Sequence, residues 1–203
     1  MAKQKKSEFV KNVVKQLTKF MNNLYKQYKK KIVPELKKKF GYKNDIAVPR
    51  LSKVVLNVGI GPGLKDSEYL ESTKKVLIRI SGQSPVETKA RKSIASFKIR
   101  EGMIVGVKVT LRGERMYDFI EKLINITLPR VRDFRGLDPN KFDRKGNYSI
   151  GLKEHVAFPE ISPDEIERVH GLEVNIATTA KDDEQGYELL KLIGFPFKEK
   201  DNK

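Results

Sequence analysis

The 203-residue chain has no cysteine and no tryptophan, only two histidines, and no long apolar run. Without cysteine there is no disulfide framework, no thiolate nucleophile and no cysteine-built zinc site. His155 and His170 are too few for a histidine-rich metal centre. No stretch approaches the eighteen or so consecutive apolar residues that a membrane-spanning helix needs, so no membrane partner is expected. A secretory signal would need an apolar core near the N-terminus, where lysines instead recur every few residues. A mitochondrial transit peptide would be rich in Arg and Ser; residues 1–23 hold no Arg and only Ser7.

Positive charge is abundant. Forty-two Lys and Arg against 26 Asp and Glu give a formal charge of +16, while 38% hydrophobic residues suffice for a folded core. The expectation is a cytoplasmic protein with a polyanionic partner. The charge is unevenly placed. Residues 1–44 carry fourteen lysines and two acids, or +12; residues 89–135 carry +7; residues 136–203 carry −4. In the first block Val10, Val13, Leu17, Phe20, Leu24 and Tyr28 recur at helical spacing among lysines. Such a helix could pack on a core, adsorb to an anionic membrane or bind phosphates, and the rest of the chain favours phosphates.

The periodicity predicts helices over 22–40 (bent or restarted near Pro34), 66–80, 114–128 (stopped by Pro129) and 183–193. Strands are predicted over 51–60, 85–91, 105–112, 147–154 and 172–179, with loop over 130–146. Alternating strands imply one wet face, hence an α+β fold with a mainly antiparallel sheet, helices packed on one side, and a basic helical N-terminal arm. Residues 1–20 read as a lysine-rich extension, 21–198 as a single domain and 199–203 as a tail.

Three features could suggest an enzyme. Gly59-Ile60-Gly61-Pro62-Gly63 lies between a strand and a helix, but its spacing is not that of a dinucleotide loop and Pro62 removes an amide; a tight turn accounts for it. Asp182, Asp183 and Glu184 open a helix, where capping and the helix dipole explain acids. His155 and His170 have no nucleophile pattern around them. No catalytic constellation, cofactor, metal or small-molecule substrate is indicated.

The middle of the chain is more specific. Val105, Val107, Val109 and Leu111 alternate with Gly106, Lys108, Thr110 and Arg112, and Val86, Thr88 and Ala90 with Glu87, Lys89 and Arg91. Side by side, the polar sets would form a shallow basic platform suited to the wide minor groove of A-form RNA. Between them, residues 91–102 mix cations with a lone Phe97, as an RNA-contacting hairpin would.

Several runs resemble the bacterial-type 5S-rRNA-binding ribosomal protein family, number five of the large subunit: Gly82 to Ala95, Lys108 to Arg115, Leu128 to Gly136, Gly146 to Tyr148 and Phe158 to Ile161. With Leu56 to Gly59 and Gly194 to Phe197, the resemblance runs from about Met21 to Lys198. It implies a structural protein of the central protuberance that holds 5S rRNA against large-subunit rRNA. It implies 5S contacts at Asn57, Gln83, Thr110 and Arg112, with Lys89 nearby. The hairpin bearing Arg91, Lys92, Ser93, Phe97, Lys98 and Arg100 would reach the P-site tRNA. The loop with Arg130, Arg132, Asp133, Phe134 and Arg135 would face small-subunit ribosomal protein thirteen in an intersubunit bridge. The chain departs from the family at Ser96 (often Gly), Ile104 (often Pro) and His170 (usually Arg or Lys, so a weaker positive charge), and in its first twenty residues. A cytosolic RNA-modifying enzyme is the alternative reading.

Overall fold

A computed structural model describes residues 23–61, 66–161 and 168–198. The predicted arm, the 62–65 half of the glycine turn and the C-terminal tail lie outside them. Helix α1 is built from contiguous segments Asn23–Gln27, Tyr28–Ile32 and Val33–Phe40. There follow β1 (Leu51–Gly59), α2 (Ser67–Ser81), β2 (Val86–Lys89) and β3 (Ile104–Leu111). Helix α3 joins Gly113–Lys122, Leu123–Thr127 and Leu128–Arg130. Strands β4 (Tyr148–Leu152) and β5 (Leu172–Thr178) precede α4 (Asp183–Ile193). Element order and type match the sequence expectation; strand ends shift by one or two residues, most at β2 and β4.

The five strands form one antiparallel sheet in the order β2-β3-β1-β5-β4. Alternation decides which face is covered. Val54, Leu56, Val58, Val107, Val109, Leu111, Val174, Ile176, Tyr148 and Ile150 are buried, and with Ile32, Leu36, Leu77, Ile120, Leu123, Leu189 and Leu190 from the helices they form one core. The opposite face stays open. Lys108, Glu173, Ser149 and Gly151 are exposed, and Val55, Asn57, Thr110 and Asn175 half-buried.

Both prolines expected to disturb helices are absorbed by one device. Immediately before Pro34 the helix widens to a π-turn, in which the Val33 amide donates to the Tyr28 carbonyl. Before Pro129 the Leu128 amide donates to Leu123 in the same way. Proline offers no N–H and its ring crowds the carbonyl four residues back; a wider turn lets the chain pass. The helix therefore runs on through Pro34 by way of this π-turn and does not restart there. Pro129 does not stop α3, which continues to Arg130 before Val131 turns extended.

The glycine ends are local chemistry of the expected kind. Gly41 and Gly82 close α1 and α2 in left-handed conformation, at φ of 70° and 67°. Asp66 caps α2 by accepting from the Glu68 and Tyr69 amides. Asp182 sits at the corresponding place on α4 without a side-chain cap, contrary to expectation. Asp183 instead accepts from the Gly146 amide at 3.0 Å, pinning the loop before β4 to the start of α4. There the backbones meet so closely that a Cβ on Gly186 would lie 2.6 Å from the Gly146 carbonyl oxygen. No helix among the described residues is long and apolar enough to cross a membrane.

Candidate nucleic-acid interface

Strand register lines up the open face in rows. Val86, Lys108, Asn57, Glu173 and Gly151 fall on one line across all five strands. Thr110, Val55, Asn175 and Ser149 form the next. The Asn57 side-chain amide donates to a Glu173 carboxylate oxygen at 3.3 Å, and the Ser149 hydroxyl to the Asn175 carbonyl oxygen at 2.7 Å. Arg112 follows β3 and is exposed; Lys53 sits half-buried on β1. The surface is a shallow field of amides and hydroxyls edged by cations, suited to hydroxyl, base-edge and phosphate contacts along a wide groove.

The structure brings Asn57, Thr110 and Arg112 to this face. Gln83 joins them from the loop after α2, where its amide donates to the Thr110 carbonyl at 3.2 Å, beyond the end of β2. The sequence reading of β2, however, is inverted. Val86 pairs with Lys108 and Thr88 with Gly106, so Val86 and Thr88 lie on the open side, and Val86 is 61% exposed. Glu87 pairs with Val107 and turns to the helix side, where Lys74 of α2 bridges it at 2.7 Å. Lys89 follows a register shift after Thr88, pairs with Ile104 and is exposed. Glu87 is therefore not part of the platform expected from Glu87, Lys89 and Arg91, while Val86 and Thr88 are. Gly106 is buried rather than open: a Cβ there would meet the Thr88 hydroxyl and the Val58 carbonyl oxygen, both at 2.9 Å. A four-residue edge strand gives too little alternation to fix its facing from sequence.

Residues 90–103 form a closed hairpin beyond β2 and β3. Ile94 and Ile99 exchange backbone hydrogen bonds, and Ala95–Phe97 make a 3₁₀ turn that holds Ser96. Lys98 closes it at φ 55°. The Ser93 hydroxyl accepts from the Glu101 amide at 2.9 Å, and Ile104 begins β3. Arg91, Lys92, Lys98 and Arg100 are exposed around Phe97, which is 69% exposed and free to stack. Arg130, the last residue of α3, and Arg132, Asp133 (φ 52°) and Arg135 in the loop after it are exposed, with Phe134 packed beneath.

His155 and His170 meet, which fifteen residues of separation did not foretell. Their rings stack at 4.0 Å between centroids, the His170 amide donates to His155 Nδ1, and both are buried. Burial and the neighbouring His155 push the His170 pKa down to about 4, so it is neutral at pH 7 and supplies no charge in place of the usual Arg or Lys. Its Nε2 is buried without a hydrogen-bond partner. No nucleophile or carboxylate completes the pair among their hydrogen bonds. No group of three metal-ligating side chains occurs among the described residues.

An α+β protein whose uncovered sheet face carries amides, hydroxyls and cations, with a cationic hairpin beside it, belongs to the class of RNA-binding scaffold proteins. The chain matches the Ribosomal protein L5 family over residues 44–100, and the C-terminal part of the same ribosomal family over residues 104–197. It is 58% identical over 175 residues to "Large ribosomal subunit protein uL5" of Fervidobacterium nodosum, covering 86% of this chain and 95% of that one. It is 55% identical over 177 residues to the protein of the same name from Halothermothrix orenii, covering 87% and 99%. The chain belongs to the ribosomal protein L5 family, and is thus a structural, non-enzymatic, RNA-binding component of a ribonucleoprotein. The reading as an RNA-modifying enzyme falls with that membership.

Proposed function

We propose that this structural protein of the large ribosomal subunit, at work in the cytoplasm, binds 5S rRNA through the open face of its sheet and anchors it in the central protuberance against large-subunit rRNA. The observation that carries the reading is the convergence of Asn57, Thr110, Lys108, Gln83 and Arg112 on a face that no helix among the described residues covers. Cations at its margin neutralise phosphates, while amides and hydroxyls match 2′-hydroxyls and base edges. Lys89 contributes from the margin, beyond the register shift. The hairpin with Arg91, Lys92, Ser93, Phe97, Lys98 and Arg100 touches the P-site tRNA, its exposed ring and cations fitting an RNA elbow. The loop with Arg130, Arg132, Asp133, Phe134 and Arg135 contacts small-subunit ribosomal protein thirteen. Residues 1–20 act as a separate polycationic extension to the 21–198 domain.

The test is 5S rRNA affinity at several salt concentrations. Asn57→Ala or Thr110→Val is expected to weaken binding more than replacing Lys3, Lys5 and Lys6 together. The logarithm of affinity should fall by about 0.9 per log unit of salt for each duplex phosphate neutralised. If the three lysines matter more than Asn57 and Thr110, the sheet face is not the 5S site.

A further inference from the structure

Glu173 is out of place on a surface meant for a polyanion. It stands at the middle of the open face, exposed, with no ion pair to it among the described residues, while its cross-strand neighbour Asn57 lies beside Lys108. A carboxylate facing phosphates would cost affinity, so its chemistry suits a donor instead. The geometry also fixes how Asn57 is presented. Because Asn57 Nδ2 donates to one Glu173 oxygen at 3.3 Å, Asn57 Oδ1 is turned away from Glu173. The pair therefore offers two adjacent acceptors, Asn57 Oδ1 and the second Glu173 oxygen, on an otherwise cation-edged surface.

RNA presents few donors to a shallow surface. Along the minor groove only guanine adds an amino group, its N2, to the acceptors shared by every pair, and each nucleotide adds a 2′-hydroxyl. We propose that Glu173, with Asn57 held by it, is a sequence-specificity determinant that accepts a hydrogen bond from a guanine amino group of the bound RNA, Asn57 taking the neighbouring 2′-hydroxyl. The inference rests on the open face being the RNA site. It adds that this face reads a particular base and not only the shape of the groove.

The experiment is a two-by-two comparison with the full-length chain. 5S rRNA is prepared with inosine replacing guanosine one position at a time, which removes N2 and leaves the rest of the base. Affinity is measured for the unaltered chain and for Glu173→Gln, a change at an exposed position that keeps an acceptor for Asn57. One inosine position is expected to cost the unaltered chain about tenfold, the scale of a hydrogen bond to a charged group, and to cost Glu173→Gln less than threefold. If no inosine position is felt, and Glu173→Gln tightens binding to every RNA alike, Glu173 merely repels phosphate and the proposal is overturned. If the same inosine penalty persists in Glu173→Gln, the guanine is read by another residue and the proposal is likewise overturned. Asn57→Ala and Thr110→Val run alongside. If both bind 5S rRNA as the unaltered chain does, it is the open-face reading that has failed.

Discussion

Lowering the pH from 7.5 to 5 should destabilise this fold, chiefly through the stacked histidines. A free histidine titrates near 6.5, whereas burial holds His170 at about 4 and moves His155 in the same direction. Between those values the unfolded chain binds a proton that the folded chain refuses. Stability is therefore complete above pH 6.5 and is lost as the pH falls toward 4. At one pKa unit per 1.36 kcal/mol, His170 alone accounts for about 2 kcal/mol lost by pH 5, with His155 adding to it. Burial raises the Asp118 and Glu121 pKa values, which works in the opposite sense. A variant isolates the histidine part. His170→Phe keeps a ring against His155 and Tyr69 and removes the unpartnered Nε2. Urea unfolding followed by far-ultraviolet circular dichroism, at pH 7.5 and 5.0, gives the comparison. The unaltered chain should lose about 2 kcal/mol or more, and the variant about 2 kcal/mol less than that. A variant with the same pH loss as the parent would refute the argument.

Further substitutions probe the packing of the fold. Gly186→Ala would press a Cβ against the Gly146 backbone and should cost about 1–3 kcal/mol in urea unfolding. Gly151→Ala, with nothing within 4 Å of its Cβ, should leave stability nearly unchanged. Lys122 donates to the Ile80 carbonyl at 2.6 Å and to Glu160 at 2.5 Å, tying α3 to the end of α2 and to the segment beyond β4. Lys122→Met leaves that carbonyl and a largely buried carboxylate without their donor, and should lower the unfolding midpoint by an amount worth about 1–3 kcal/mol. Glu160→Gln in the Lys122→Met background should recover part of it.

The legible parts of the fold were those with long, regular patterns. Val54-Leu56-Val58 and Val107-Val109-Leu111 each alternate far enough to declare their buried side, and with it the open placement of Asn57, Lys108 and Thr110. Residues 86–89 are too few to do so; pairing with β3 turned Val86 outward and Glu87 inward, against hydropathy. The prolines misled because the rule for a regular helix omits the π-turn that precedes each one here. The histidine stack and the Asn57–Glu173 pair join residues 15 and 116 positions apart. Such meetings follow from topology and leave no mark in local spacing.

The position of β1 bears on when this protein can first be functional. It is the third strand of five, zipped on one side to β3 and on the other to β5, so Val54 waits for Ile176. A ribosome adding roughly 5–20 residues per second takes on the order of 6–24 s to cover that interval. Until then one edge of β1 has no neighbour, Asn57 has no Glu173, and the rows of the open face end at mid-sheet. A chain cut short before residue 172 would thus keep most of its lysines and arginines yet lack half of the surface that arranges them. On the function proposed above, attraction of the nascent polypeptide to nucleic acid would come first and discrimination would arrive with roughly the last thirty residues.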